Sequence, residues 1–234
     1  MFMCSYQYLY RYLYQAYKSG CLRIVCLTWI FSVSLFAPHA YSDERAAQDL
    51  VAYFKSMHSL ETEFEQITLD AAQVNLQGFM GRLLFKKPMY FYYETELPHN
   101  QVITIKQDEG QNQVWIYDRD LDQVSVQPLQ EQLTQTPLLL LINPDVTSLQ
   151  QHFSVKAGKL SKAGQRQFEL TALDKNRLYE KIRFHFIRHQ LYEIQIEDSL
   201  GQKTVMTFEN PVYNQNIDTK KFTLRLPEGI DILR

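Results

Sequence analysis

Most of this chain consists of short runs in which apolar and polar residues alternate, separated by turn-forming clusters. Alternation with a period of two is typical of strands that bury one face, and Asp, Asn and Gly between the runs favour reversal of the chain. The pattern predicts a meandering antiparallel sheet with strands at 64–68, 79–85, 89–94, 101–105, 114–117, 123–126, 152–155, 167–172, 179–186, 191–196, 204–208 and 222–226. That many strands are expected to curl into a barrel or half-barrel.

Two helical segments interrupt the strand pattern, so we expect a mainly β fold with helices (α+β). Near the start, apolar residues recur every three or four positions, which predicts an amphipathic helix whose buried face is formed by Ala46, Ala47, Leu50, Val51, Phe54 and Met57. Farther on, prolines flank five branched aliphatic residues, which predicts a short helix at 137–142. Because that helix is apolar on every side, it either plugs the core or acts as a lid whose inner face meets a ligand.

The first 42 residues have the composition of a secretory signal peptide. They contain basic residues but no acidic one, and an apolar run at 24–36 precedes the small residues Ala40 and Ser42. The run is shorter than the ~20 residues that a membrane-spanning helix needs. We therefore predict a cleaved signal peptide at 1–42, with cleavage after Ala40 as the alternative, and a single domain at 43–234.

The positions of the cysteines and the net charge argue against thiol chemistry and nucleic-acid binding as functions of this protein. Cys4, Cys21 and Cys26 all lie in the predicted signal peptide, so the domain has no disulfide, thiol nucleophile or thiolate metal site. None of the three is placed as the lipidated cysteine of a lipoprotein signal. Without the three bases of that peptide, 21 basic residues stand against 26 acidic ones, a net charge of −5. This balance argues against a nucleic-acid partner.

No catalytic or metal-binding pattern stands out in the sequence. The histidines lack the spacing of a helical zinc site, and Asp118, Asp120 and Asp122 lack the Gly and Glu that complete a calcium loop. The acidic run at 61–65 is most simply a solvated face, although carboxylate pairs also serve acid/base catalysis. There is no serine-hydrolase elbow, phosphate-binding loop or dinucleotide fingerprint. We therefore expect a binding protein without a cofactor or metal, and not an enzyme.

The stretch at 77–98 carries more large apolar side chains than one edge of a small sheet requires. Alternation places Met89, Phe91 and Tyr93 on one face of their strand, and Tyr90 and Tyr92 on the other. The stretch therefore either packs beneath another element or forms the wall of a ligand cavity.

Six segments occur in order between residues 59 and 233, namely SLETEFEQ, GFMGRLLFKKPMYFYYETELP, QVWIYDRDLDQVSVQP, TPLLLL, DSLGQKTVMTF and FTLRLPEGIDIL. In this order and spacing the chain resembles the periplasmic outer-membrane lipoprotein carrier family, LolA. The resemblance implies an unclosed antiparallel β-barrel covered by a helical lid, with the acyl chains of triacylated lipoproteins held between them. It also implies transfer of cargo from an inner-membrane lipoprotein-releasing ABC transporter to an outer-membrane acceptor lipoprotein. We expect a monomer.

The resemblance also assigns roles to particular residues. It implies that Phe91 and Tyr93 line the acyl-chain cavity, and the other wall residues that we predict are Leu83, Phe85, Met89 and Trp115. It likewise implies that the lid is formed by Pro137, Leu138, Leu139, Leu140, Leu141 and Ile142.

One position departs from the family pattern. Where the family has Lys-Arg-Pro, this chain has Lys86, Lys87 and Pro88. The family's arginine is expected to hold the lid through backbone carbonyls, so the latch falls to Lys87. Because an ammonium lacks the planar five-donor fork of a guanidinium, we expect a weaker or differently placed latch.

Three other interpretations stay open at this point. An outer-membrane acceptor of the same fold would need an N-terminal lipidated cysteine. A lipid sensor or regulatory domain would need additional interaction segments. An enzyme acting on an envelope glycolipid or glycan would need convergent carboxylates in a cleft.

Overall fold

We analysed a computed structural model that describes residues 40–96, 98–108, 110–129, 137–142, 144–174 and 178–234. The chain divides into two compact units, Met1–Tyr41 and Ser42–Arg234. Nearly all of the predicted signal peptide lies outside the described residues, so its cleavage stays a prediction.

The second unit is built mainly from strands. Among the described residues, its helices are α1 (Ala40–Ser56), which begins two residues before the unit, α2 (Val146–His152) and two 3-10 helices, Pro137–Leu141 and Thr219–Phe222. Its strands are β1 (Ser59–Leu69), β2 (Asn75–Lys86), β3 (Tyr90–Thr95), β4 (Gln101–Asp108), β5 (Gln111–Asp118), β6 (Gln123–Pro128), β7 (Phe153–Ala157), β8 (Gln165–Ala172), β9 (Lys181–Ile187), β10 (Gln190–Glu197), β11 (Lys203–Tyr213) and β12 (Asp231–Leu233).

All twelve strands form one sheet in the order β12-β6-β5-β4-β3-β2-β1-β11-β10-β9-β8-β7. Neighbours are antiparallel, except that β12 runs parallel to β6. Because β12 and β7 remain as edges, the sheet is not closed. The predicted mainly β, unclosed antiparallel fold with helices is confirmed.

Helix α1 packs against one face of this sheet through the apolar stripe that the sequence predicts. Phe54 meets Phe184 edge to face with ring centroids 5.0 Å apart, and Tyr53 meets Phe186 at 4.9 Å. All six predicted residues of the stripe are buried. Edge-to-face packing of aromatic rings adds to the free energy gained from burying their area, so these contacts stabilise the packing of α1 on the sheet.

The structure differs from the predicted elements at three places, one of which is the short strand β12, which was not predicted. Residues 222–226 do not form a strand; they cross the outer face of the sheet, where Phe222 and Leu224 are buried. The apolar and polar residues of this segment alternate because one of its sides packs on the sheet, and not because the segment is a paired strand. Helix α2 was not predicted, and Asp145 begins it by accepting a hydrogen bond from the Ser148 backbone N at 2.7 Å.

Candidate functional site

The face of the sheet that packs against α1, here called the inner face, carries the larger of two hydrophobic clusters. Strand register brings four predicted wall residues together, because Leu83 pairs with Tyr93 and Phe85 pairs with Phe91. All four side chains are buried in this first cluster. Met89, in the turn before β3, is half-buried and packs against the cluster.

Residues 137–142, here called the lid segment, lie against the same cluster. Among the described residues no hydrogen bond joins the segment to a strand, and Ile142 N donates to Leu139 O within the segment at 3.2 Å. The segment contacts the first cluster through its aliphatic side chains. The aliphatic side chains that are buried or half-buried in it are Leu138, Leu139, Leu140, Leu141 and Ile142, while Pro137 begins its 3-10 helix.

A cavity of about 220 Å³ separates part of the lid segment from the sheet. Of the predicted residues, Phe91, Tyr93 and Leu138 line it, whereas Leu83 and Phe85 lie in the surrounding cluster. The sequence analysis did not identify the other lining residues, which are Gln66, Gln101, Ile103, Ile194, Ile196, Thr204 and Met206. Alternation could have placed each of these on a face, but only the pairing of β1 with β11 brings them to one cavity.

Tyr93 marks the boundary between the apolar and the polar part of this cavity. Its ring stacks on Phe64 with centroids 5.0 Å apart and planes inclined by 10°. Its hydroxyl donates to Gln66 Oε1 at 3.4 Å. Burial raises the pKa of the Tyr93 hydroxyl, so the group stays neutral and acts as a hydrogen-bond donor or acceptor.

Trp115 does not belong to this wall. Its side chain lies on the opposite, outer face in the second hydrophobic cluster, together with Tyr92. Its neighbours in β5, Val114 and Ile116, are the residues that contact the first cluster. The assignment of Trp115 to the acyl-chain wall was wrong, because a strand presents successive residues to opposite faces.

Lys87 is half-buried in the turn between β2 and β3 and is bound to α1. Its Nζ donates to Phe54 O at 2.6 Å, and this carbonyl, in the last turn of α1, also accepts from Met57 N at 3.2 Å. Burial lowers the pKa of the Lys87 ammonium to about 8, and the charge of Lys55 acts in the same direction. Among the described residues, no hydrogen bond joins Lys87 to the lid segment.

A second cavity of about 570 Å³ lies beside Lys87 at the edge of the lid segment. Met89, Leu129 and Ile142 line it together with the polar side chains of Gln111 and Asn112. It shares none of its lining residues with the 220 Å³ cavity.

Two carboxylates that do not line these cavities are engaged by cations. Glu94 contacts both Arg82 and Arg119 at 2.7 Å. Burial raises the pKa of the Glu94 carboxyl, but the two guanidiniums outweigh this effect and the net pKa is lowered. In the acidic run at 61–65, Glu61 is paired with Lys221 at 2.6 Å. These contacts indicate structural ion pairs.

Among the residues that the structure describes, no helix combines the length and apolar character needed to cross a membrane.

The sequence is similar to known lipoprotein carriers over most of its length. A family model described as "Outer membrane lipoprotein carrier protein LolA" matches residues 55–225. The outer-membrane lipoprotein carrier protein of Pseudomonas aeruginosa (strain UCBPP-PA14) is 31% identical over 217 residues, which cover 91% of this chain and 100% of that relative. The corresponding protein of Chromohalobacter salexigens is 34% identical over 197 residues, covering 83% and 90%.

Solved structures also include similar chains. The match to the LolA superfamily protein from Nitrosomonas europaea covers 76% of this chain and 97% of that chain, with 15% sequence identity and a TM-score of 0.42.

Proposed function

Because this chain belongs to the LolA family of outer membrane lipoprotein carrier proteins, we propose that it shelters the acyl chains of triacylated lipoproteins while they cross the periplasm. In this proposal an inner-membrane lipoprotein-releasing ABC transporter supplies the cargo, and an outer-membrane acceptor lipoprotein takes it up. The predicted signal peptide supports an exported protein. The observation that carries the proposal is the apolar cavity between Phe91, Tyr93 and Leu138.

The physical requirement for such a carrier is to hide hydrocarbon from water. Burial of each methylene contributes ~0.8 kcal/mol, so one long acyl chain represents roughly ten kcal/mol of gross driving force. A carrier has to recover enough of this free energy to solubilise the chain, but not so much that the cargo is never released.

We infer from the size of the cavity that the lid segment moves when cargo binds. A dry apolar cavity of ~150 Å³ takes one benzene molecule. The 220 Å³ cavity is only somewhat larger, so it holds a small part of one acyl chain. Leu139 and Leu141, in the same segment as the lining residue Leu138, have no exposed surface. We infer that these leucines fill the site when lipid leaves, which lowers the net affinity for cargo and permits release.

Leu139→Glu tests the role of the lid segment. A carboxylate at a fully buried position disfavours closure over the empty site, because an unpaired charge is costly to bury. Since the empty closed state competes with cargo, we expect the variant to retain lipoprotein more strongly and release it more slowly. Mass spectrometry of the protein purified from its native periplasm measures the fraction that carries triacylated lipoprotein.

Leu160→Glu is the matched control, since Leu160 is 59% exposed in the loop before β8. This variant should carry and release cargo like the wild type. Cargo binding and release that are unchanged in Leu139→Glu would contradict the role of the lid segment. Consistent absence of lipoprotein from the wild type, even when release is blocked, would favour a lipid sensor on the same fold.

A further inference from the structure

The inner face of β1–β6 changes from apolar to polar along the direction of the strands. At the end near Pro88 it is apolar, because Phe85 pairs with Phe91 there. Toward the β3–β4 hairpin, register aligns Thr95 with Gln101 and Gln101 with Asp118. A row of polar side chains therefore follows the aromatic row on the same face.

The other half of the sheet does not show this change. In β9 and β10, Ile182 pairs with Ile196 on the inner face at the corresponding end, and Leu170 of β8 pairs with Ile182. All three belong to or pack against the first cluster. The polar end is therefore restricted to β1–β6. General solvation of hairpin ends does not explain it, because the corresponding end of β8–β10 is apolar.

A polar pocket of about 400 Å³ occupies this end and continues the apolar cavity. Three side chains line both spaces, namely Gln66, Tyr93 and Gln101. Phe79 and His99 line the pocket on the side of the β1–β2 and β3–β4 hairpins. The lining is mainly apolar on one side of Tyr93 and polar on the other, so the two spaces together match the shape and polarity of an amphiphilic ligand.

Two amides in the shared wall are able to donate to a ligand. Gln66 uses its Oε1 to accept from the Tyr93 hydroxyl, which leaves its NH₂ group as a donor. Among the described residues, the Gln66 NH₂ and the Gln101 side-chain amide have no protein partner. Ester and amide carbonyls are hydrogen-bond acceptors without charge, and they match uncharged donors of this kind.

We propose, on the basis of the carrier function above, that this polar pocket binds the ester and amide linkages of the cargo's lipid anchor. The acyl chains then extend past Tyr93 toward Phe91 and the lid segment. The polypeptide of the cargo leaves beside Phe79 and His99, between the β1–β2 and β3–β4 hairpins. The cavity beside Lys87 is the alternative exit, but it shares no lining residue with the apolar cavity.

Photocrosslinking tests the direction in which the cargo lies. A photoreactive phenylalanine analogue replaces either His99, at the proposed exit, or Gln111, at the cavity beside Lys87; both positions are exposed. The probe is a synthetic tripalmitoyl-cysteinyl peptide, and mass spectrometry identifies which part of it is crosslinked. We expect the peptide part to crosslink at position 99 and not at position 111. Crosslinking of the peptide part at position 111 instead would overturn the proposal without affecting the carrier function.

Affinity measurements test the two amides. Gln66→Leu/Gln101→Leu removes both donors and keeps the side-chain size, so we expect about tenfold weaker binding of the tripalmitoyl-cysteinyl peptide. Binding of a pyrene-labelled alkane, which has no linkage to recognise, should not weaken. Gln165→Leu, at an exposed position of β8, is the control and should leave both affinities unchanged.

The outcomes separate this proposal from the carrier function. If the wild type binds neither probe, the carrier function itself fails. If the wild type binds the lipopeptide and the double variant binds it equally well, only the linkage site is overturned. Equal weakening for both probes in a variant with unchanged urea unfolding would also overturn it. If the double variant does not fold, the crosslinking result decides.

Discussion

The inner and outer faces of this sheet are both buried, but they are covered in different ways. Residues 214–230, here called the C-terminal strap, cover the outer face and bury Ile217, Phe222 and Leu224 in the second cluster. Chain connectivity fixes the strap at both ends, because β11 precedes it and β12 pairs with β6 after it. The lid segment covers the inner face by packing, above a cavity.

Hydrogen bonding strengthens the contrast between the two covers. The strap begins where the Asn214 side chain accepts from His58 N at 2.7 Å and Ser59 Oγ donates to Gln215 O at 2.6 Å. Among the described residues, the lid segment has no comparable bond to the sheet. The strap is tied to β1 by these hydrogen bonds, whereas in our proposal the lid segment is displaced by an apolar ligand.

Two adjacent lysines act on the two sides of the sheet. Lys86 Nζ donates to Asn216 Oδ1 at 2.8 Å and to Ile217 O at 2.9 Å, both in the strap. Lys87 Nζ donates to Phe54 O of α1 on the inner side. The two faces are therefore covered by different elements, and in our proposal only the inner face exchanges its cover for lipid.

The largest expected effect comes from weakening the strap. Phe222 is 6% exposed in the second cluster, and Phe222→Ala should lower the free energy of unfolding by about 3–5 kcal/mol. The folded fraction should still bind the pyrene-labelled alkane with wild-type affinity, because the cavity lies on the other face. Urea unfolding and fluorescence titration measure the two quantities.

Ile232→Ala provides the control for this prediction, since Ile232 is 39% exposed in β12. Its effect on the free energy of unfolding should be below about 1 kcal/mol, because little apolar area is lost. Weaker binding of the pyrene-labelled alkane by folded Phe222→Ala protein would contradict the claim that the cover of the outer face does not affect the cavity on the inner face.

A smaller effect is expected from the paired substitutions Lys86→Met and Lys87→Met. Each removes the ammonium donor and keeps most of the apolar stem, so each should lower the free energy of unfolding by about 1 kcal/mol. Only Lys87→Met should also change the rate at which the tripalmitoyl-cysteinyl peptide dissociates, because only Lys87 holds a cover of the inner face. Equal dissociation rates for the two variants would show that the contact to α1 does not control access to the cavity.

The smallest expected effect is the pH dependence contributed by Lys87. Its pKa of about 8 in the folded protein is lower than the ~10.4 of an unfolded lysine. Between these values the unfolded chain binds more protons, so this group makes the free energy of unfolding rise with pH. We therefore expect the stability difference between wild type and Lys87→Met to shift in favour of the wild type from pH 7 to pH 9.5, as measured by urea unfolding. A difference that is constant across this range would indicate a Lys87 with an ordinary pKa.

Local periodicity was sufficient to predict most of the fold. Alternation identified eleven of the twelve strands in position if not in exact length, and the period of α1 identified the stripe that packs on the sheet. The same rule failed at 222–226, because alternation reports that one face is buried and does not distinguish pairing at a sheet edge from packing across a sheet. Helix α2 is too short for its periodicity to be recognised.

The candidate site was only partly predictable for the same reason. Phe91 and Tyr93 were assigned to one face from the sequence, and the structure places both beside the cavity. Trp115 was also assigned to the wall, although its position relative to Val114 and Ile116 places it on the other face. Register across several strands is required to resolve such cases.

The sequence by itself determined the strand pattern, the amphipathic α1, the apolar lid segment and the family to which the chain belongs. These features depend on the order of residues along the chain. Only the tertiary structure decided that Lys86 and Lys87 serve opposite faces, that Trp115 lies in the second cluster, and that Gln66 and Gln101 meet beside Tyr93. Each of these depends on which strands become neighbours, and pairing between distant segments is set by the packing of the whole sheet.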